Sequence, residues 1–180
     1  IGGPIGFDVI HRLPGRIRSL TVLNTMIHVA SFHRPLVMEP FAYRGIGWLW
    51  LQSLRTPLLI MLMRMIGVCD TPTNNELMAY GALLLRKDGG AAFLKIMRSF
   101  ERTHEYEDRI INALRKKKFP AQVIWGTKDP ALKMLDYAPQ ICRVLRLPEW
   151  HQVKGKHFLQ EDSPKRIADR VAELVASGAT

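Results

Sequence analysis

Residues 120–129 read PAQVIWGTKD. From Ala121 to Trp125 the run is apolar but for Gln122 and partly β-branched, closed by Pro120 before it and by Gly126, Thr127 and Asp129 after it, the pattern of a buried strand that delivers a polar loop. Downstream, PALKMLDYAPQICRVL (130–145) has helical spacing, with Pro139 as a candidate kink. EWHQVKG (149–155) reads as another strand, and SPKRIADRVAELVAS (163–177) as a closing helix with Ser163 as N-cap and Pro164 in the first helical position. The same alternation stands at the other end of the chain. PIGFDVIHRL (4–13) places Ile5, Val9, Ile10 and Leu13 at helical spacing behind Pro4, Pro14 and Gly15 stop it, and RSLTVLNT (18–25) supplies a short apolar strand. Strands separated by helices of this length require parallel pairing, so the chain is assigned to the α/β class with a mostly parallel sheet.

Between these two portions, 26–119 shows no strand-like alternation. Met61, Met63, Met65, Leu83, Leu84, Phe93, Ile96, Met97 and Phe100 supply apolar helical faces, and RKDGGAAF turns the chain at Gly89 and Gly90. A helical insertion between strands of one sheet is a lid candidate. The expected division is 1–25 core, 26–119 helical cap and 120–180 core.

Composition limits the function classes. The 180 residues are 47% hydrophobic, enough for a sizeable core. The net charge of +10 comes from 26 Lys and Arg spread along the chain, with one dense run at Arg115, Lys116, Lys117 and Lys118. No basic-plus-aromatic motif or zinc-finger spacing accompanies it, so the run is read as a solvated helix end and nucleic acid is not expected as a partner. Cys69 and Cys142 form neither a CxxC motif nor a disulfide framework, which points to buried thiols in a reducing, cytoplasmic compartment. In the most apolar stretch, charges at Arg44, Arg55 and Arg64 leave uncharged runs of at most ten residues, where a membrane span needs about 20. The six histidines (11, 28, 33, 104, 151 and 157) show no H-x-x-x-H or paired-carboxylate spacing, so neither metal nor cofactor is expected. A dinucleotide fold is disfavoured because GGPIG is not G-x-G-x-x-G and Asn24, not Asp or Glu, ends the following strand.

Two polar residues gain meaning once the sheet is assumed. Asp129 follows one strand and His157 follows the next, so both emerge at the carboxyl edge of the parallel sheet, where such folds place their sites. Alone, an Asp in GTKDP caps a helix and a loop His packs or faces water. Together, an aspartate fixes the tautomer of an imidazole and stabilises its cation when it takes a proton.

GGPIGFDVIHRLPGRIRSLTVLNT, VIWGTKDPAL and GKHFLQEDSPKRIADRVAELV resemble the α/β-hydrolase superfamily, and within it the haloalkane dehalogenase and epoxide hydrolase branch. The insertion sits where that family carries its helical cap. Its chain order is nucleophile, acid, histidine, with the nucleophile on a tight G-x-nucleophile-x-G turn between strand and helix. In this register Ile1 follows the nucleophile, Gly2 is the final glycine of the elbow, and the N-terminal half of the sheet lies outside the sequence. The resemblance implies that the Ile1 N–H is one oxyanion donor.

It further implies hydrolysis of a small apolar substrate by water through a covalent ester, with His157 as base and Asp129 as its orienting acid. An Asp before Ile1 would displace a halide or open an epoxide, while a Ser would transfer an acyl group. GGPIG leans toward the Asp version, and so toward a dehalogenase-like activity. The family usually carries Trp where this chain has Ile1, so halide stabilisation would fall to Trp48 or Trp50 of the cap, and epoxide protonation to Tyr43, Tyr80 or Tyr106. Each of these five can equally be packing or surface. The rival expectation is a truncated, non-catalytic interaction module that exposes a sheet edge and oligomerises through it.

Overall fold

A computed structural model of the chain describes residues 1–55 and 57–178. Three strands, β1 (Leu20–Leu23), β2 (Ala121–Gly126) and β3 (His151–Val153), form one sheet in the order β1-β2-β3. Both pairings are parallel, with Leu20 opposite Ala121, Leu23 opposite Ile124, and Ile124 opposite His151. β2 is therefore the central strand, which is why it is apolar but for Gln122, whose amide donates to Thr21 Oγ1 and to the Arg170 carbonyl. Side chains alternate across a pleat, so Val123 and Trp125 enter one cluster and Ile124 enters another on the opposite face.

The larger cluster joins β1 and β2 to three helices, α1 (Gly2–Arg12), α6 (His104–Arg115) and α7 (Met134–Leu145), through Phe7, Ile10, Ile110, Leu114 and Ile141. On the other face, Ile124 and Val153 meet Leu159 of the short α8 (Leu159–Asp162) and Ile167 of α9 (Pro164–Ser177). The sheet is thus covered on both sides, as parallel sheets require.

Between β1 and α6 the chain builds a second body from a 3-10 segment (Leu36–Ala42), α2 (Arg44–Ser53), α3 (Pro57–Leu62) running into a π-helical turn (Met63–Gly67), α4 (Asn74–Leu85) and α5 (Ala91–Ser99). It has its own cluster, in which Phe41, Leu51, Leu54, Leu59, Leu94 and Met97 are buried together. Gly89 and Gly90 both adopt positive φ (63° and 89°) at the turn before α5. α4 begins with a reciprocal cap in which Thr73 accepts from the Glu76 N–H and Glu76 accepts from the Thr73 N–H. The most apolar stretch is split between α2 and α3, and no single described helix is long and apolar enough to cross a membrane.

Three local readings differ from expectation. α7 starts at Met134 and not at Pro130, because residues 129–133 are consumed by a turn around Asp129, while Pro139 lies inside the helix. Ser163 precedes α9 but does not cap it, since its hydroxyl donates to the Lys154 carbonyl. α6, within the 26–119 span expected of the cap, packs with the sheet layer on α1, and Tyr106 donates its hydroxyl hydrogen to the Pro4 carbonyl.

Candidate active site

Asp129 is placed by β2. Trp125, fully buried, donates its indole N–H to the Leu132 carbonyl at 3.0 Å, tying the far end of the loop back to the strand. Asp129 then uses both carboxylate oxygens. Oδ1 accepts from the Ala131 and Leu132 N–H groups at 2.8 and 3.0 Å, and Oδ2 accepts from His157 Nδ1 at 2.9 Å. One oxygen therefore holds the turn and the other holds the imidazole. The carboxylate is wholly shielded from solvent while the imidazole is about one-third exposed. That asymmetry suits a buried orienting anion and an accessible base: with Nδ1 engaged, Nε2 is the nitrogen free to exchange a proton.

The His157 loop is held from two sides. Lys128 N–H donates to Gly155 O at 2.9 Å and Thr127 N–H to Val153 O, lacing the loop after β2 to the loop after β3. The crossing is so close that a side chain at Gly126 would lie 2.6 Å from Gly155 O and 2.7 Å from Lys156 O. On the cap side, the His157 and Phe158 N–H groups donate to the Ile66 and Gly67 carbonyls at 3.3 and 2.7 Å. Lys156 Nζ donates to the Arg64 carbonyl. Asp162 bridges cap and core, accepting from Cys69 N–H and Lys156 N–H, each at 2.8 Å.

Asn24 is the residue whose role the sequence concealed. It is buried, sits at φ 27°, and makes three contacts: its amide donates to the Lys156 carbonyl at 2.8 Å and the His157 carbonyl at 3.4 Å, and its Oδ1 accepts from Gly126 N–H at 2.8 Å. One side chain at the end of β1 thus clamps the starts of the loops that carry both Asp129 and His157. The visible signal was a polar residue ending an apolar strand.

Below the cap, His157 opens into a cavity of about 470 Å³ whose walls are overwhelmingly apolar. Ile1, Gly2 and Gly3 lie at its edge, so the start of α1 and the His157–Asp129 pair share one site. Of the glycine pair, only Gly3 is forced by contact, since a Cβ there would fall 2.1 Å from Thr25 Oγ1, whereas one at Gly2 meets nothing within 4 Å.

The cap candidates divide. Trp50 lines the cavity, but its indole N–H is committed to the Val37 carbonyl at 3.0 Å. Trp48 and Tyr43 are more than half exposed and do not reach it. Tyr80 lies outside the cavity with its hydroxyl on Glu161, a bond to a carboxylate that, with burial, pushes its pKa up to about 12. Tyr106 is buried in the core contact with Pro4. Sequence periodicity marks which helices are apolar, not which face a docked cap turns inward. Among the described residues no three His, Cys, Asp or Glu side chains converge on a point that could hold a metal.

No family model matches the chain, and no curated protein matches it by sequence. Solved structures do. A loop variant of the haloalkane dehalogenase DbeA from Bradyrhizobium elkanii superposes with a TM-score of 0.72 at 17% identity, covering 97% of this chain and 64% of that one. A protein named as an aryl esterase from Burkholderia cenocepacia gives 0.71 at 14%, covering 98% and 61%, and the tetrameric haloalkane dehalogenase DpaA from Paraglaciecola agarilytica gives 0.67 at 16%, covering 94% and 56%. The chain has the α/β-hydrolase fold with a helical cap, over a length that spans less than two-thirds of these structures.

Proposed function

We propose that the chain is the cap and carboxyl-terminal half of a hydrolase that works through a covalent ester, with His157 as general base and Asp129 as its orienting acid. The observation that supports this most directly is the 2.9 Å His157–Asp129 hydrogen bond at the edge of an apolar cavity that also takes in Ile1. The nucleophile on this reading is the residue preceding Ile1, and the Ile1 N–H is an oxyanion donor. We place the cap at about residues 36–99, on the evidence of its separate apolar cluster and the packing of α6 with the sheet. Free Cys69 and Cys142 support a reducing, cytoplasmic setting.

In the dehalogenase version, an aspartate oxygen attacks a carbon, halide leaves, and an alkyl ester forms. His157 Nε2 then takes a proton from water as the resulting hydroxide equivalent attacks the ester carbonyl, releasing an alcohol and restoring the carboxylate. A second reading, acyl transfer from serine, is favoured by two observations. Ile1 has no side-chain donor, and Trp50, the cap tryptophan that reaches the cavity, already spends its N–H on Val37. A halide would compete with a carbonyl for it, whereas an ester carbonyl needs only backbone donors.

The test is to trap the ester. His157→Gln in the whole polypeptide should accumulate an alkyl adduct from 1-bromohexane on the peptide upstream of Ile1 for the dehalogenase version, because only hydrolysis of that ester needs the base; the esterase version needs His157 to form its ester, so there the unaltered polypeptide should take a diethylphosphoryl adduct from diethyl p-nitrophenyl phosphate on the same peptide. An adduct at neither, with the variant folded, removes the covalent reading.

A further inference from the structure

We propose that the cavity takes substrates with an apolar body and a carboxylate head, and that Arg34 is the residue that binds the head; this rests on the reading of the cavity as the substrate site. Arg34 lines the cavity and, among the described residues, is the one permanently charged side chain in its wall. It is half-buried, and of its five N–H donors the structure engages one, from Nη2 to the Met97 carbonyl at 2.9 Å. No carboxylate among the described residues lies within ion-pair distance of it. Glu101 is paired with Arg109 and Glu107 with His28.

A guanidinium held against an apolar wall loses water without regaining it, and that loss is offset only by an anion or a full set of acceptors. Arg34 is also held in place before any ligand arrives. The strap 28–34 is anchored at Ala30, whose N–H donates to Glu107 Oε2 at 2.9 Å, at Phe32, whose carbonyl accepts from Arg102, and at Arg34 itself through Met97. A planar fork fixed in position is matched by a planar carboxylate through two parallel hydrogen bonds. The chain's net charge of +10 adds a field that draws anions toward it. A carboxylate at Arg34 leaves the rest of the ligand to run along the leucine, methionine and phenylalanine side chains of the cavity.

Calorimetric titration of the whole polypeptide with octanoate and with octan-1-ol, matched in chain length, tests this. Octanoate should bind at least about tenfold more tightly, and Arg34→Gln should abolish the difference while leaving octan-1-ol unchanged. Equal binding of the two by the unaltered protein, or a preference that survives Arg34→Gln, overturns the assignment of the carboxylate. Binding of neither overturns the cavity as an apolar site as well. Should the variant fail to fold, the Arg34 Nε–Hε resonance of the unaltered protein decides: it should shift with octanoate and not with octan-1-ol, and an unmoved signal at saturating octanoate overturns the proposal. None of these outcomes depends on turnover, so they separate from failure of the ester-trapping experiment.

Discussion

Asn24 shows how much of a site can rest on one amide. Its carboxamide is a donor toward the His157 loop and an acceptor toward Gly126, and no other side chain of that size does both. Asn24→Asp keeps the shape and the acceptor but sets a carboxylate against the Lys156 and His157 carbonyls. Asn24→Ala leaves a buried Gly126 N–H without a partner, at a cost of about 1–3 kcal/mol. If His157 is the base, as proposed, both substitutions should lower kcat of the whole polypeptide by about ten- to a hundred-fold with a smaller change in KM, because a misplaced base costs rate more than it costs binding. Steady-state kinetics on the two variants checks this, and an unchanged kcat in Asn24→Asp would remove the clamp from the account. The left-handed backbone at Asn24 also explains the residue choice, since Asn enters that region more readily than other side chains.

At the scale of elements, α6 repays attention because its sequence reads as just another amphipathic helix between cap and core. It packs on α1, and Glu107 on it fastens the segment after β1 through His28 Nδ1 and Ala30 N–H, both at 2.9 Å. Burial pushes the Glu107 carboxyl up, but the donors from His28 and Ala30 outweigh it and hold the pKa below the usual glutamate value. A carboxylate depressed in the folded state stabilises fully above its unfolded pKa and loses that contribution as pH falls through the folded value. Glu107→Gln should therefore lower stability by about 1–3 kcal/mol at pH 7, and the gap from the unaltered protein should narrow below about pH 4.5, the ordinary glutamate value. Urea denaturation at a series of pH values measures it.

Across the whole molecule, cap and core are joined at the histidine loop itself. The same few residues, His157, Phe158 and Lys156, hydrogen-bond the end of the π-helical turn, and Asp162 holds Cys69 and Lys156 together. The position of the cap and that of His157 are therefore mechanically linked. Asp162→Ala should release both amides at once: hydrogen exchange at Cys69 and Lys156 should accelerate together by about ten- to a hundred-fold, the equivalent of about 1.5–3 kcal/mol for hydrogen bonds to a charged group. Acceleration at only one of the two would separate the cap from the loop. Outward, α2 presents Ile46, Trp48 and Leu49 to solvent, and α1 presents Ile5 and Val9, with Leu13 exposed just beyond its end.

What the amino-acid order determined by itself was the local and periodic content. The run 121–125, apolar but for Gln122, reads as a buried strand, the helices around it imply parallel pairing, and Asp129 and His157 emerge at the same sheet edge because each follows a strand of that sheet. Those conclusions need only neighbours in sequence. What tertiary structure alone decided was every choice between faces and between partners far apart in the chain. Trp50 turns to the cavity while Trp48, two residues away and on another side of the same helix, turns to solvent. Tyr106 meets Pro4, Asn24 reaches Lys156, Gly3 is pressed on Thr25, and Arg34 stands in an apolar wall with no counter-ion among the described residues. The physical reason is that periodicity records how apolar a face is, whereas contact depends on how rigid bodies dock, and docking is set by the summed packing of residues that no local window contains.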